Sequence, residues 1–291
     1  VFFPKTEIKI NAVKEVFASF FKNMFPLLGL PLIVQINVLC ERIVSSNIGD
    51  AVIPAVDYAR FLCDTTVQLI AVPLGIITMA NFGGSINEKF NEYIKSSFTI
   101  LLLVSVPIGL FFFQNSTEII RIVFHRGAFG EESVLITSKA FQWMGLALIF
   151  TITAYFLIKV LNSMMLNKIA FLFTLLAVIS SIFINFAFWK IFGVETIGLG
   201  VIAYSFTIFI LCVFYLALTR KLIYLLLYIL PFMMMQFLFC YYIDYFFNFN
   251  TYLNLFLKFF TICILWYLTF IWIKEVRMFL SVVFNKIKYT K

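Results

Sequence analysis

Eight runs of mostly apolar residues dominate the chain, at roughly 24–46, 55–80, 97–114, 134–160, 169–189, 197–218, 222–246 and 251–273. A helix needs about 20 such residues to cross the hydrocarbon core of a bilayer. Unpaired backbone N–H and C=O groups are too costly in lipid, so runs of this length form helices. Strands of a membrane barrel would instead alternate apolar and polar residues over about 10 positions, and these runs do not alternate. Composition agrees: 63% of the 291 residues are apolar, 12% are charged and the mean hydropathy is +1.03. A soluble domain of this length cannot hide that much apolar surface. The expectation is an all-α polytopic membrane protein of about eight transmembrane helices. Residues 1–220 form a six-helix lobe, and residues 221–291 add a peripheral, lipid-facing helix pair with a basic cytoplasmic tail.

The basic residues orient the spans. One set of ends carries Lys5, Lys9, Lys14, Lys22, Lys89, Lys95, Lys168, Arg220, Lys221, Lys274, Arg277, Lys286, Lys288 and Lys291. The opposite ends carry a mixed, acid-leaning set: Asp50, Arg121, Arg126, Glu131, Glu132, Lys190, Glu195 and Asp244. Cytoplasmic loops are the ones enriched in Lys and Arg, so both termini are expected on the cytoplasmic side. The same effect accounts for the net charge of +8 without a nucleic-acid partner.

Several chemistries find no support. Cys40, Cys63, Cys212, Cys240 and Cys263 are scattered through apolar runs with no C-x-x-C spacing, so they read as small buried hydrophobes. His125 stands in a loop without companion ligands, and no metal site is expected. No catalytic or nucleotide-binding motif occurs and no cofactor is implied. The loops are too short to hold a soluble catalytic domain. The opening stretch VFFPKTEIKI lacks the plan of a signal peptide and reads as the start of a chain joined mid-protein or processed.

Polar residues inside a span usually face a partner or a water-filled cavity. In AVDYARFLCDTTVQLIAVPLGI, residues Asp57, Arg60, Asp64 and Gln68 fall at i, i+3, i+7 and i+11. At about 100° per residue they make one stripe no wider than about 80°, the pattern of a cavity wall. In the first span Gln35, Arg42 and Ser46 share a face beside Glu41. Arg42 is expected close to Arg60 across a short loop, and two planar guanidinium groups suit a phosphate. Pro26 and Pro31 in the first span and Pro73 in the second, followed by Gly75, are positions where helices bend around a cavity or merely kink. Lys159 lies near the inner end of the fourth span, as either a snorkelling residue or a substrate contact. Lys258, in the last span, reads in the same way, as a snorkelling residue or one that reaches a lipid headgroup.

Four stretches carry a resemblance: ERIVSSNIGD, PAVDYARFLCDTTVQLIAVPLGI, VFHRGAF and FLIKVLNSMML. In order and spacing they resemble segments in the second half of the MurJ/MviN family of lipid II flippases, within the multidrug/oligosaccharidyl-lipid/polysaccharide exporter superfamily. The eight spans correspond to helices seven to fourteen of a fourteen-helix family. Two differences stand out. Where the family places an arginine, two residues after the alanine of its eighth helix, this chain has Phe61, with Arg60 one earlier. LNKIAF replaces a family turn after the fourth span.

The resemblance implies a surface piece from Glu118 to Phe124, a turn permitted by Gly127 and Gly130, and a next helix opened by Glu131 and Glu132. VFHRGAFGEES is thus an architectural element. It also implies a non-enzymatic flippase, or the C-terminal half of one. The cargo would be an undecaprenyl-pyrophosphate-linked peptidoglycan precursor, moved across the bacterial cytoplasmic membrane by alternating access. Arg42 and Arg60 would attract the pyrophosphate. Asp57 and Asp64 would orient the arginines or couple to a cation, with Gln68 and Lys159 completing the contacts. Membrane lipids and a separate N-terminal lobe are the implied partners. A flippase for O-antigen or capsule units, and a non-transporting remnant or scaffold, are the alternatives.

Overall fold

A computed structural model describes the backbone of residues 10–82, 88–246 and 251–272, and side chains over 28–77, 90–246 and 251–269. The helices are α1 (Ile10–Ile48), α2 (Val52–Phe82), α3 (Glu88–Gln114), α4 (Ser116–Phe124), α5 (Glu131–Ser163), α6 (Asn167–Phe192), α7 (Glu195–Tyr215), α8 (Thr219–Phe246) and α9 (Thr251–Trp272). No strand occurs among the described residues. All but α4 are long and apolar enough to span a bilayer, one for each apolar run of the sequence. The chain is an all-α polytopic membrane protein. Helices α1 and α2 continue past Pro26, Pro31 and Pro73. Lys5, Lys9, Lys14, Lys22, Lys89 and the basic tail from Lys274 onward lie outside the residues whose side chains are described.

Helix α5 is the axis of the molecule, packed against α2, α3 and α7. Without a hydrophobic drive between helices in lipid, close backbone approach at small residues supplies much of the attraction. Gly109 of α3 and Gly145 of α5 provide one such approach. A Cβ at Gly109 would lie 2.6 Å from Ile149 Cγ1, and one at Gly145 would lie 2.6 Å from Phe112 Cβ. Helix α7 also packs on α6, and α6 in turn holds α1. Helices α1 and α2, though joined by the short 49–51 loop, touch each other little. Each leans on a different neighbour, and both present exposed apolar side chains, including Leu32, Leu39 and Ile43 on α1 and Phe61, Leu69 and Ile76 on α2.

The polar segment between α3 and α5 folds as a short surface helix and a turn. Helix α4 buries Ser116, Ile119 and Ile120 and turns its other side outward. Arg121 donates to Glu131 Oε2 at 2.7 Å, tying α4 to the first turn of α5, where acidic residues also favour the helix dipole. His125 Nε2 stands 3.6 Å from Glu131 Oε1. Gly127 takes a left-handed φ of 60°, which a side chain would oppose. Gly130 is extended, with φ −81°, so only the first of the two glycines is needed for its backbone freedom. Tyr58 of α2 packs on Phe124 and Phe129 with ring centroids 4.9 and 5.3 Å away, pinning the turn to α2.

Helices α8 and α9 pack on each other and on α3. Polar ties reinforce the apolar contact. Gln236 of α8 donates to the Pro107 carbonyl of α3 at 3.2 Å and accepts from Trp266 Nε1 of α9 at 2.9 Å. Lys258 of α9 donates to Asn115 Oδ1, at the α3–α4 junction, at 2.9 Å and meets Asp244 Oδ1 of α8 at 2.6 Å. Lys258 is therefore buried, 3% exposed, and neither snorkels nor reaches a headgroup, the two readings of its sequence position. Two neighbours, Asn115 and Asp244, supply acceptors at less cost than extending the ammonium through the apolar layer. Cys63, Cys212 and Cys240 are buried, Cys40 is partly so and Cys263 is exposed, all as free thiols.

Candidate functional site: a polar stripe on the open face of the second helix

Helix α2 uses two adjacent faces for two purposes. Ala55, Ala59, Cys63, Val67, Ala71 and Gly75, each four residues from the last, are buried. They form an i±4 ridge of small side chains, the kind that lets a neighbouring helix lie close; α5 is the neighbour. Beside this ridge runs the stripe. Asp57, Asp64 and Gln68 are exposed and Arg60 is partly buried. A row spaced by four drifts about 40° per step, so the buried ridge swings round the helix and crosses beneath the stripe at its C-terminal end. There Gly75 lies about 20° in azimuth from Asp64, and the residue lodged against it is Lys159. A Cβ at Gly75 would lie 3.1 Å from Lys159 Cγ. The Lys159 ammonium folds over the Tyr155 ring, 5.4 Å from its centroid. The stripe thus leads from Asp57 at the N-terminal end of α2 to a lysine near its C-terminal end.

At the N-terminal end of the stripe, α1 contributes. Arg42 and Asp57 approach to 3.6 Å with side chains 56% and 48% exposed, a loose contact across the helix pair. Arg60 pairs instead with Glu41. The Glu41 residue is 1% exposed, and its second oxygen accepts from Asn37 Nδ2 at 2.7 Å. Asn37, one turn earlier on α1, is itself buried. Glu41, Arg42, Asp57 and Arg60, with Val38, Ser45, Ile53 and Val56, line a cleft of about 10 Å³, about the size of one water. Asp64, a turn further in, lies within electrostatic reach of Arg60 and Glu41. Gln35 and Ser46 are exposed on α1, with the Ser46 hydroxyl donating to the Ile43 carbonyl at 2.8 Å.

Arg42, Asp57 and Arg60 therefore converge on one cleft, whereas Asp64, Gln68 and Lys159 follow along the α2 face. The two arginines expected near one another both meet carboxylates: Arg42 faces Asp57 at 3.6 Å, and Arg60 pairs with Glu41. Asn37 and Glu41 are the members that the helical-face reading left without a role. Their i, i+4 spacing in a spanning helix was the available signal. Phe61, standing where the family's arginine would be, is exposed at the edge of the stripe. Among the described residues, no group of three His, Cys, Asp or Glu is placed to hold a metal ion.

Comparison with known proteins gives a consistent result. The family model described as lipid II flippase MurJ matches residues 3–287. A probable lipid II flippase MurJ of Buchnera aphidicola subsp. Schizaphis graminum is 29% identical over 133 residues, covering 44% of this chain and 25% of that protein. A second, from Bdellovibrio bacteriovorus, is 23% identical over 188 residues, covering 62% and 36%. A solved structure of lipid II flippase MurJ in an inward closed conformation superposes with a TM-score of 0.70 at 19% identity, covering 94% of this chain and 56% of that one. At that identity the superposition speaks for the fold. The chain spans a quarter to just over half of the length of these relatives.

Proposed function

The chain belongs to the lipid II flippase MurJ family, and from that premise we propose that it forms the second lobe of a flippase for a lipid-linked sugar. The cargo is an undecaprenyl-pyrophosphate-linked peptidoglycan precursor, and the membrane is the bacterial cytoplasmic membrane, with both termini on the inner side. The observation that carries this reading is the polar stripe lying open beside the packed ridge of α2. Asp57, Asp64 and Gln68 are exposed within a spanning helix, and an ionisable residue facing lipid is costly. A first lobe standing across from α1 and α2 would enclose a polar cavity there and cover their exposed apolar side chains.

In this arrangement Arg42 and Arg60 receive the pyrophosphate at the outer end of the cavity, and Lys159 offers a cation at its inner end, on the same line down α2. Asp57 and Asp64 orient the arginines, and Gln68 donates or accepts between them and Lys159. The prenyl tail stays in lipid, and rocking of one lobe on the other changes the side to which the headgroup is open. No bond is made or broken in the cargo. Residues 1–220 are the lobe and 221–291 the added pair, clamped to α3 by Gln236 and Lys258.

The test is coexpression with a separate six-helix first lobe in cells depleted of their own flippase. The pair should restore growth and the 291-residue chain alone should not. Rescue by the chain alone as a monomer would overturn the lobe assignment. Full rescue by a pair carrying Arg60→Ala would remove that arginine from the cargo's path.

A further inference from the structure

We propose that Glu41 is a built-in rival to the cargo's diphosphate. It is a carboxylate that holds Arg60 when the site is empty and must yield it, wholly or in part, when an anion arrives. The inference rests on the flippase reading above and adds a residue that determines how tightly the site binds.

The geometry sets up the competition. Arg60 is the deeper arginine of the stripe, and its guanidinium is taken by Glu41. Its side chain nevertheless remains 26% exposed, so a ligand in the open face of α2 can reach it. Glu41 is enclosed, 1% exposed, and is steadied from its own helix by Asn37 at 2.7 Å. A carboxylate and a phosphate oxygen compete for the same planar donors. A buried carboxylate also resists losing its cation, because little else nearby compensates the charge; Asp64, within reach, carries the same sign. The grip of Glu41 is therefore strong enough to matter, and its effect is to weaken diphosphate binding to the empty site. Arg42 is a useful contrast. Its carboxylate partner stands at 3.6 Å with both side chains half exposed, so Asp57 competes feebly.

The second consequence concerns the helices. Helices α1 and α2 have little other contact, so the Glu41–Arg60 pair is the main buried polar link between them. An anion that draws Arg60 away loosens that link at the moment the site fills.

The experiment uses the full chain in lipid nanodiscs, with inorganic pyrophosphate in one arm and farnesyl pyrophosphate in the other, and binding read by calorimetry. Glu41→Gln removes the rival charge at nearly constant size, and its one carbonyl oxygen can still accept from Asn37. It should tighten diphosphate binding on the order of tenfold, the scale of one charge-assisted hydrogen bond. Arg60→Gln should weaken binding by at least as much. If Glu41→Gln does not give a protein with wild-type helical content, Glu41→Asp is the substitute. It keeps the charge, shortens the reach to Arg60 and should tighten binding by a smaller factor. A gain of affinity is an effect that mere structural damage does not produce.

Parallel shifts in both arms support the proposal for the diphosphate group itself; shifts in the farnesyl arm alone support it for the lipid-linked form. Binding that appears only in Glu41→Gln also supports it. Binding that is weakened by Arg60→Gln but unchanged or weakened by Glu41→Gln overturns the rivalry and leaves the flippase site standing. Equal binding in all variants, or none in any, overturns both the rivalry and the assignment of Arg60 to the cargo.

Discussion

Among the polar residues inside the spanning helices, two groups are built differently. On the far side of α3, Lys258, Asp244 and Asn115 join three elements at one point, and Gln236, Trp266 and the Pro107 carbonyl join three helices at another. Aromatic contacts surround both: Phe111 on Phe259 at 5.8 Å and Phe232 on Trp266 at 6.4 Å. On the open side, the α2 stripe has acceptors and charges with few partners, next to helices that barely touch. The difference teaches that a charge within a span is not by itself a mark of a transport path. A clamp spends its hydrogen bonds on neighbouring helices and is sealed, whereas the stripe, the proposed substrate wall, leaves them available. Glu41 stands between the two kinds, sealed like Lys258 but paired to a residue on the open face.

The largest expected effect lies in the clamp. Asp244→Leu strands the Lys258 ammonium at 3% exposure with one neutral acceptor, Asn115. Removing one partner of a buried ion pair costs about 3–5 kcal/mol. Unfolding of the chain in mixed micelles, followed by its helical signal, should register that loss. Lys258→Met should cost less, about 2 kcal/mol, because the Asp244 side chain it leaves behind is 56% exposed and remains solvated. If the two variants are equally harmful, the asymmetry of burial does not govern this clamp.

The second test is Gln236→Leu, which leaves the Trp266 N–H without its acceptor and removes a donor from the Pro107 carbonyl. Hydrogen bonds between helices in membranes contribute about 1–2 kcal/mol at most, so a loss of this order is expected in the same unfolding assay. A neutral result would mean that the aromatic packing alone holds α8 and α9 to α3, and that the clamp is no clamp.

How far the sequence speaks differs between these regions for a physical reason. Length and hydropathy locate each span among the described residues, because the bilayer imposes a minimum run of apolar residues. The short surface piece is legible too: Ser116–Phe124 contains the expected Glu118–Phe124. The stripe of Asp57, Arg60, Asp64 and Gln68 is a property of one helix, and a period of about 3.6 residues is enough to reveal it. What joins one helix to another is not periodic. That Arg60 turns to Glu41, leaving Arg42 to face Asp57, depends on how α1 is rotated against α2, and no spacing within either helix states it. Lys258 looks like a snorkelling lysine until Asn115, 143 residues away along the chain, is placed beside it. The acceptor for Gln236 is a backbone carbonyl, which has no signature at all. Lys159 is the intermediate case: its place at the foot of the stripe follows only once the buried ridge ending at Gly75 is seen to swing under Asp64.

The smallest stability effect belongs to the open side, and it separates the two regions most sharply. Arg42→Ala removes a pair at 3.6 Å whose side chains are 56% and 48% exposed. Exposed ion pairs contribute about 0–1 kcal/mol, and at this separation the lower half of that range applies, so the unfolding midpoint should hardly move. The same substitution should nonetheless weaken pyrophosphate binding severalfold in nanodiscs, because Arg42 lines the cleft with Arg60 and its guanidinium meets only a distant competitor. Stability unchanged with binding reduced is the signature of a residue placed for a ligand, and the reverse is the signature of a clamp. If Arg42→Ala unfolds the protein as readily as Asp244→Leu does, or leaves pyrophosphate binding as it was, the α1–α2 cleft is one more helix tie and the distinction between the two sides of the molecule fails.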